Sequence, residues 1–107
     1  MTSAAPSPDL YIGLMSGTSL DGVDGVLVDF QDRTCVLQHA FRGFPVGLRA
    51  ELLELNTPGD NELHRAALAA NGLVACYAEV VQQLLRQAGL PPQAVKAIGA
   101  HGQTVRH

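Results

Sequence analysis

Cations are scarce in this chain: seven Lys and Arg stand against ten Asp and Glu in 107 residues, a formal charge of −3. The seven are scattered singly from Arg33 to Arg106. A nucleic-acid-binding domain needs a clustered basic face to neutralise phosphates, and an anionic membrane surface needs a polybasic patch, so both partners are excluded. Long apolar runs are missing too. The longest stretch free of polar residues and glycine is six residues, 73–78, where a spanning helix needs roughly 20, so no transmembrane segment is expected. Residues 1–9 hold no Lys or Arg and no apolar block. They read as a disordered lead-in rich in Ser, Ala and Pro and not as a secretory signal, which suggests a cytoplasmic protein. The only two cysteines, Cys35 and Cys76, lie 41 positions apart in stretches that look like core, and neither belongs to a closely spaced ligand pair. Both read as small buried hydrophobes.

What is present is apolar enough to fold: hydrophobic residues make up 47% and charged residues 16%, on the globular side of the boundary with disorder. Residues 10–15 form a short apolar run closed by Ser16 and Gly17, and residues 23–30 and 35–41 are β-rich segments joined by the polar turn 31–34. Together they predict a β-meander. The period then changes. Leu48, Leu52 and Leu55 fall at i, i+4, i+7 and predict a short helix over 46–55. Leu63, Ala67, Ala70, Val74, Tyr77, Val81, Leu84 and Ala88 then alternate spacings of four and three. That row predicts one long helix packed on the sheet through its alanines, a coiled-coil seam being the alternative. Asp60 or Asn61 is positioned to cap its start and Gly89, followed by Pro91 and Pro92, to end it. Residues 94–100 predict a fourth strand. The order β-β-β-α-α-β implies an α/β mixed sheet whose third and fourth strands run parallel. One helical layer covers one face, and the other face and the edge beyond the fourth strand are expected to be bare, as in a partial domain.

Chemistry concentrates where the first two strands meet. Gly17, Thr18, Ser19, Leu20, Asp21, Gly22, Val23 and Asp24 combine two glycines, two hydroxyls and two carboxylates in one turn. Such a turn can present backbone N–H groups and hydroxyls to a phosphate, and a carboxylate there suits hydrated magnesium. It is neither a Walker A loop, which requires GK[ST] before a helix, nor a dinucleotide fingerprint. A plain hairpin connection is the competing reading. A serine hydrolase built from Ser16 or Ser19 with His101 and Asp24 lacks the G-x-S-x-G elbow. A zinc site on His101 and His107 lacks a third ligand. His39 and His64 read as surface residues, and Met15 and Tyr77 as core.

The stretch 11–24, with Met15-Ser16-Gly17-Thr18-Ser19-Leu20-Asp21-Gly22 at its centre, and the stretch 97–107, with Ala100-His101-Gly102-Gln103-Thr104, together resemble the amino-terminal part of the anhydro-N-acetylmuramic acid kinases. The resemblance covers nearly all the chain after the lead-in. It implies a ribonuclease H-like sheet within residues 10–107, the incomplete first part of an actin-like ATPase domain of the sugar kinase, actin and Hsp70 superfamily. It implies ATP and Mg²⁺ as cofactors and 1,6-anhydro-N-acetylmuramic acid as the small-molecule partner. The product would be N-acetylmuramate 6-phosphate, formed in peptidoglycan recycling, and a homodimer of the longer protein is compatible with it. By matching position, residues 17–24 would be the first phosphate loop, Asp21 the residue near the metal, and His101, Gln103 and Thr104 the sugar-side residues. Family members are several times longer. The aspartate acting as general base, the second phosphate loop and the adenosine pocket would lie beyond His107, so this segment alone is expected to have no kinase activity. The rival from another class is a non-catalytic module that pairs with another chain through the bare sheet face.

Overall fold

The computed structural model describes residues 8–17 and 20–103. Four strands and two helices follow the order β1 (Leu10–Ser16), β2 (Gly22–Asp29), β3 (Cys35–Gly43), α1 (Val46–Glu54), α2 (Glu62–Ala88) and, after a single 3-10 turn at Pro92–Ala94, β4 (Val95–Ala100). The sheet order is β3-β2-β1-β4. β1 and β2 pair antiparallel from Leu10 opposite Asp29 to Ser16 opposite Val23, and β3 continues the meander with one register shift at Leu27/Val28. The α1–α2 excursion carries the chain across the sheet, so β4 lies parallel to β1 on the far edge, with Ile12 opposite Ile98 and Leu14 opposite Ala100. β3 and β4 are thus parallel, as the element order implies, but they occupy opposite edges.

Strand alternation decides the layers. Leu10, Ile12 and Leu14 of β1 and Val23 and Leu27 of β2 are buried under α2 and form one core with Leu73, Val80 and Leu84. The period of two sends their neighbours to the opposite face. There Met15 and Phe41 stay exposed on either side of Asp24, and Tyr11 packs its ring against Phe30 at 5.5 Å. α2 approaches the sheet closely because residue 25 has no side chain: a Cβ there would stand 2.4 Å from Val80 Cγ1. The helix lies over β2 and β3, leaving Ile98 half exposed on the helix side of β4. α1 is tied to α2 by Arg65, which reaches Glu51 at 2.6 Å and Glu54 at 2.7 Å, and β3 is tied to α2 by the Arg42–Glu79 ion pair.

Several expectations need correction. The buried face of α2 is Ala69, Leu73, Cys76, Val80, Leu84 and Leu85. As far as Val80 this row sits one position, about 100° of rotation, from the one the periodicity singled out, and Leu84 belongs to both. Leu63 and Val74 are exposed. Two apolar rows run side by side on this helix, and the one carrying Val80 is the one that meets the gap at Gly25. Met15 is exposed on the outer face and Tyr77 only half-buried. Cys35 is exposed at the start of edge strand β3, whereas Cys76 is buried. Burial pushes the Cys76 thiol pKa up, against the pull of Arg42 and with a smaller push from Glu79. Asn61 occupies the N-cap position of α2 in a left-handed conformation and makes no side-chain cap. Gly89 does end the helix as expected, at φ 66°, with its N–H donating to the Arg86 carbonyl. By length and composition α2 is apolar enough to cross a bilayer, but here its Val80 row packs on the sheet.

Candidate functional site

The carboxyl ends of β1 and β4 lie side by side because the two strands are parallel and in register. In open α/β sheets this is where ligands bind. The ladder continues one step past β4, where the His101 N–H donates to the Leu14 carbonyl at 2.9 Å. The loop leaving β1 and the loop leaving β4 therefore emerge together, although more than 80 residues separate them in the chain.

The first loop is pinned at both ends. On its β1 side, Ser16 is 1% exposed. Thr18 and Ser19 lie outside the described residues. The chain returns at Leu20 with φ 59°, a left-handed conformation that a branched side chain adopts only when its surroundings hold it there. Three contacts do so. The Leu20 N–H donates to the Gly17 carbonyl at 3.3 Å, its side chain is buried in the core, and its carbonyl accepts from Arg49 Nε at 3.1 Å. Next, the Asp21 carbonyl accepts the Phe44 N–H at 3.0 Å, which holds the loop to the chain entering α1. At Gly22 the crossing with β3 is so close that a Cβ would stand 2.2 Å from the Arg42 carbonyl oxygen. Only glycine fits.

These contacts separate the described residues of 17–24 by what they can offer. Leu20 and Val23 are buried core pins, so only their backbone is available to a ligand. Asp21 is exposed. Asp24 sits within β2 on the outer face, where its Oδ1 lies 3.0 Å from His39 Nε2. An exposed carboxylate such as that of Asp21 fits a magnesium ion, which binds through few protein oxygens and keeps its waters. Among the described residues no three His, Cys, Asp or Glu side chains cluster as a metal cage would require.

On the β4 side, the His101 carbonyl accepts a hydrogen bond from the Tyr77 hydroxyl, fastening the strand end to α2. The His101 imidazole is exposed, with Nδ1 2.8 Å from the Gly102 carbonyl. Gln103 reaches across to the first loop: its Oε1 accepts from the Ser16 hydroxyl, and its Nε2 donates to the Gly17 carbonyl at 3.0 Å. Thr104 lies outside the described residues. Beside Gln103 a cavity of about 240 Å³ opens against the α1–α2 seam, lined by Leu52, Leu55, Ala69, Leu73 and Gly102. The hydrolase alternative on Ser16 finds no support in this arrangement, because its hydroxyl is turned to Gln103 while Asp24 pairs with His39 on the opposite face; its other serine, Ser19, lies outside the described residues. Of the zinc alternative, His107 lies outside the described residues.

Sequence reasoning did not single out Arg49 or Tyr77 for this region, and it gave Ser16 a role of its own only in the hydrolase alternative. Arg49 and Tyr77 act through tertiary hydrogen bonds to backbone carbonyls, which leave no motif. Ser16 gave a faint signal: a hydroxyl at the end of an otherwise apolar strand, which when buried must find a partner.

The family model for anhydro-N-acetylmuramic acid kinase matches residues 9–107. The chain is 66% identical over 100 residues to the anhydro-N-acetylmuramic acid kinase of Variovorax paradoxus, covering 92% of this chain and 27% of that protein. To that of Ralstonia nicotianae it is 58% identical over 109 residues, covering 100% of this chain and 28% of the relative. To that of Bordetella pertussis it is 64% identical over 99 residues, covering 92% and 26%. The chain spans about a quarter of the length of these relatives.

Proposed function

Because the chain belongs to the anhydro-N-acetylmuramic acid kinase family, we propose that it supplies the first phosphate-binding half of a kinase site for 1,6-anhydro-N-acetylmuramic acid. In this reading ATP gives its γ-phosphoryl group to the sugar O6. Water adds to C1 as the C1–O6 bridge breaks, and the products are ADP and N-acetylmuramate 6-phosphate. Residues 10–107 form the opening part of the ATPase domain and residues 1–9 its lead-in. Phosphoryl transfer needs positioned donors and charge stabilisation more than covalent help from the protein. Gly17, Thr18, Ser19, Leu20, Asp21, Gly22, Val23 and Asp24 provide the donors, Thr18 and Ser19 through hydroxyl and backbone and the others through backbone only. Asp21 would hold Mg²⁺, whose charge offsets that of the phosphates. His101 and Thr104 line the sugar side, with the Gln103 amide between them engaged by Ser16 and Gly17 of the first loop, and the dependence on ATP agrees with the cytoplasmic location expected from the sequence.

The observation that carries this reading is the loop pinned at Leu20 and Gly22 beside the carboxyl end of β4. None of Asp21, Asp24 or Asp29 takes the role of general base: Asp21 belongs to the loop, Asp24 lies within β2 with its carboxylate beside His39, and Asp29 ends β2. The 107 residues alone are therefore inactive in this account. The test joins this segment to the remaining three quarters of the Variovorax paradoxus relative and measures coupled ADP release. The expected result is release that depends on the anhydro sugar; release equal with and without sugar contradicts the substrate. A folded chimera with no turnover favours the second reading, a non-catalytic module. That reading draws on the exposed Met15 and Phe41 of the outer sheet face.

A further inference from the structure

We propose that Gln103 is a positioning residue that sets the entrance of the phosphate loop, and that it acts on the nucleotide through Ser16 and Gly17. The inference rests on the reading of residues 17–24 as a phosphate loop. Both ends of the Gln103 amide are engaged by the opposite strand: Oε1 takes the Ser16 hydroxyl hydrogen and Nε2 donates to the Gly17 carbonyl. Ser16 is buried, and a hydroxyl removed from water needs such a partner. A peptide unit is planar, so fixing the Gly17 carbonyl fixes the plane through which the chain enters the loop. The β4 end that carries Gln103 is itself held, by the His101 N–H on Leu14 and by the Tyr77 hydroxyl on the His101 carbonyl. The crossbar thus links two rigid strand ends. Only a side-chain amide offers an acceptor and a donor side by side. Glutamate would set a second oxygen against the Gly17 carbonyl, and alanine would leave both Ser16 and Gly17 without this partner.

The chimera described above, carrying Gln103→Glu, tests this kinetically. KM for ATP is expected to rise roughly five- to tenfold, the loss of one hydrogen bond to a positioned group, while KM for the anhydro sugar changes less than about twofold. Ser16→Ala and Gln103→Ala should each raise KM for ATP in the same direction, and the two together should be clearly less than additive, as for groups acting as one unit. A rise confined to KM for the sugar would overturn the inference by making Gln103 a substrate contact, and unchanged kinetics would overturn it too. A second readout does not depend on turnover. In the 107-residue chain, amide NMR shifts at residues 16–24 should move in Gln103→Glu while those of α2 stay in place. Unmoved loop shifts overturn the crossbar. If they move while the chimera is inactive, the crossbar stands and the kinase reading fails.

Discussion

Replacing Gly25 by alanine tests the packing that fixes α2 on the sheet. The new Cβ would stand 2.4 Å from Val80 Cγ1 and 3.1 Å from Leu14 Cδ2 and Leu84 Cδ1. The first contact is more than 1 Å inside ordinary van der Waals separation. Valine in a helix has one strongly preferred χ1 rotamer, so Val80 cannot simply turn away. Overpacking of this kind costs roughly 1–3 kcal/mol, and removing a glycine offsets about 0.4–1 kcal/mol through the unfolded chain. The expected net loss is about 1–2 kcal/mol. Val80→Ala removes two methyl groups at about 0.8 kcal/mol each plus a cavity contribution, for about 2 kcal/mol. In the double variant the offending Cγ1 is gone and the methyl introduced at position 25 occupies part of the space, so the two losses should not add. A coupling of about 1–2 kcal/mol is predicted from urea unfolding followed by circular dichroism. Additivity within about 0.5 kcal/mol, or a Gly25→Ala variant as stable as the parent, would refute the placement of α2.

Further predictions follow from other contacts. Gly22→Ala meets the Arg42 carbonyl at 2.2 Å, and backbone yields less than a side chain. It should lose roughly 2–4 kcal/mol in the same unfolding assay, and a smaller loss than Gly25→Ala would contradict the close crossing of β2 and β3. A thiol reagent should modify exposed Cys35 at once and Cys76 only on unfolding; equal rates would contradict the burial. The raised Cys76 pKa means that the folded chain holds that proton more tightly than the unfolded one. Its contribution is therefore complete below the ordinary thiol value of 9.0 and is lost as pH rises through the folded pKa. The stability gap between the parent and Cys76→Ala should narrow in that window. Arg65→Ala should cost up to about 1 kcal/mol and less in high salt, because its carboxylate partners are partly exposed; a salt-independent loss would point to packing of the arginine stem instead.

The order of elements was legible because each carries its own local signal. Apolar alternation marks β1 and β2, the change of period after Pro45 marks α1, and Gly89 with two prolines marks the end of α2. The rotation of α2 was not legible, since two apolar rows compete and the choice is made by a missing side chain on another element, Gly25. The location of β4 beside β1 was likewise invisible, because both sheet edges are compatible with a helical crossover between parallel strands. In the loop, composition gave the donors but could not separate Leu20 and Val23, whose side chains anchor the turn in the core, from Asp21, which faces solvent. Arg49, Tyr77 and the crossbar role of Gln103 depend on contacts between residues 24 or more positions apart. Such contacts leave no short motif.

A crystal structure of the chimera with a non-hydrolysable ATP analogue and Mg²⁺ tests the central claim most directly. The account predicts backbone N–H groups of residues 17–24 within hydrogen-bonding distance of the terminal phosphates, with the Asp21 carboxylate on the metal side. A triphosphate bound elsewhere, with this loop turned away from it, would contradict the account.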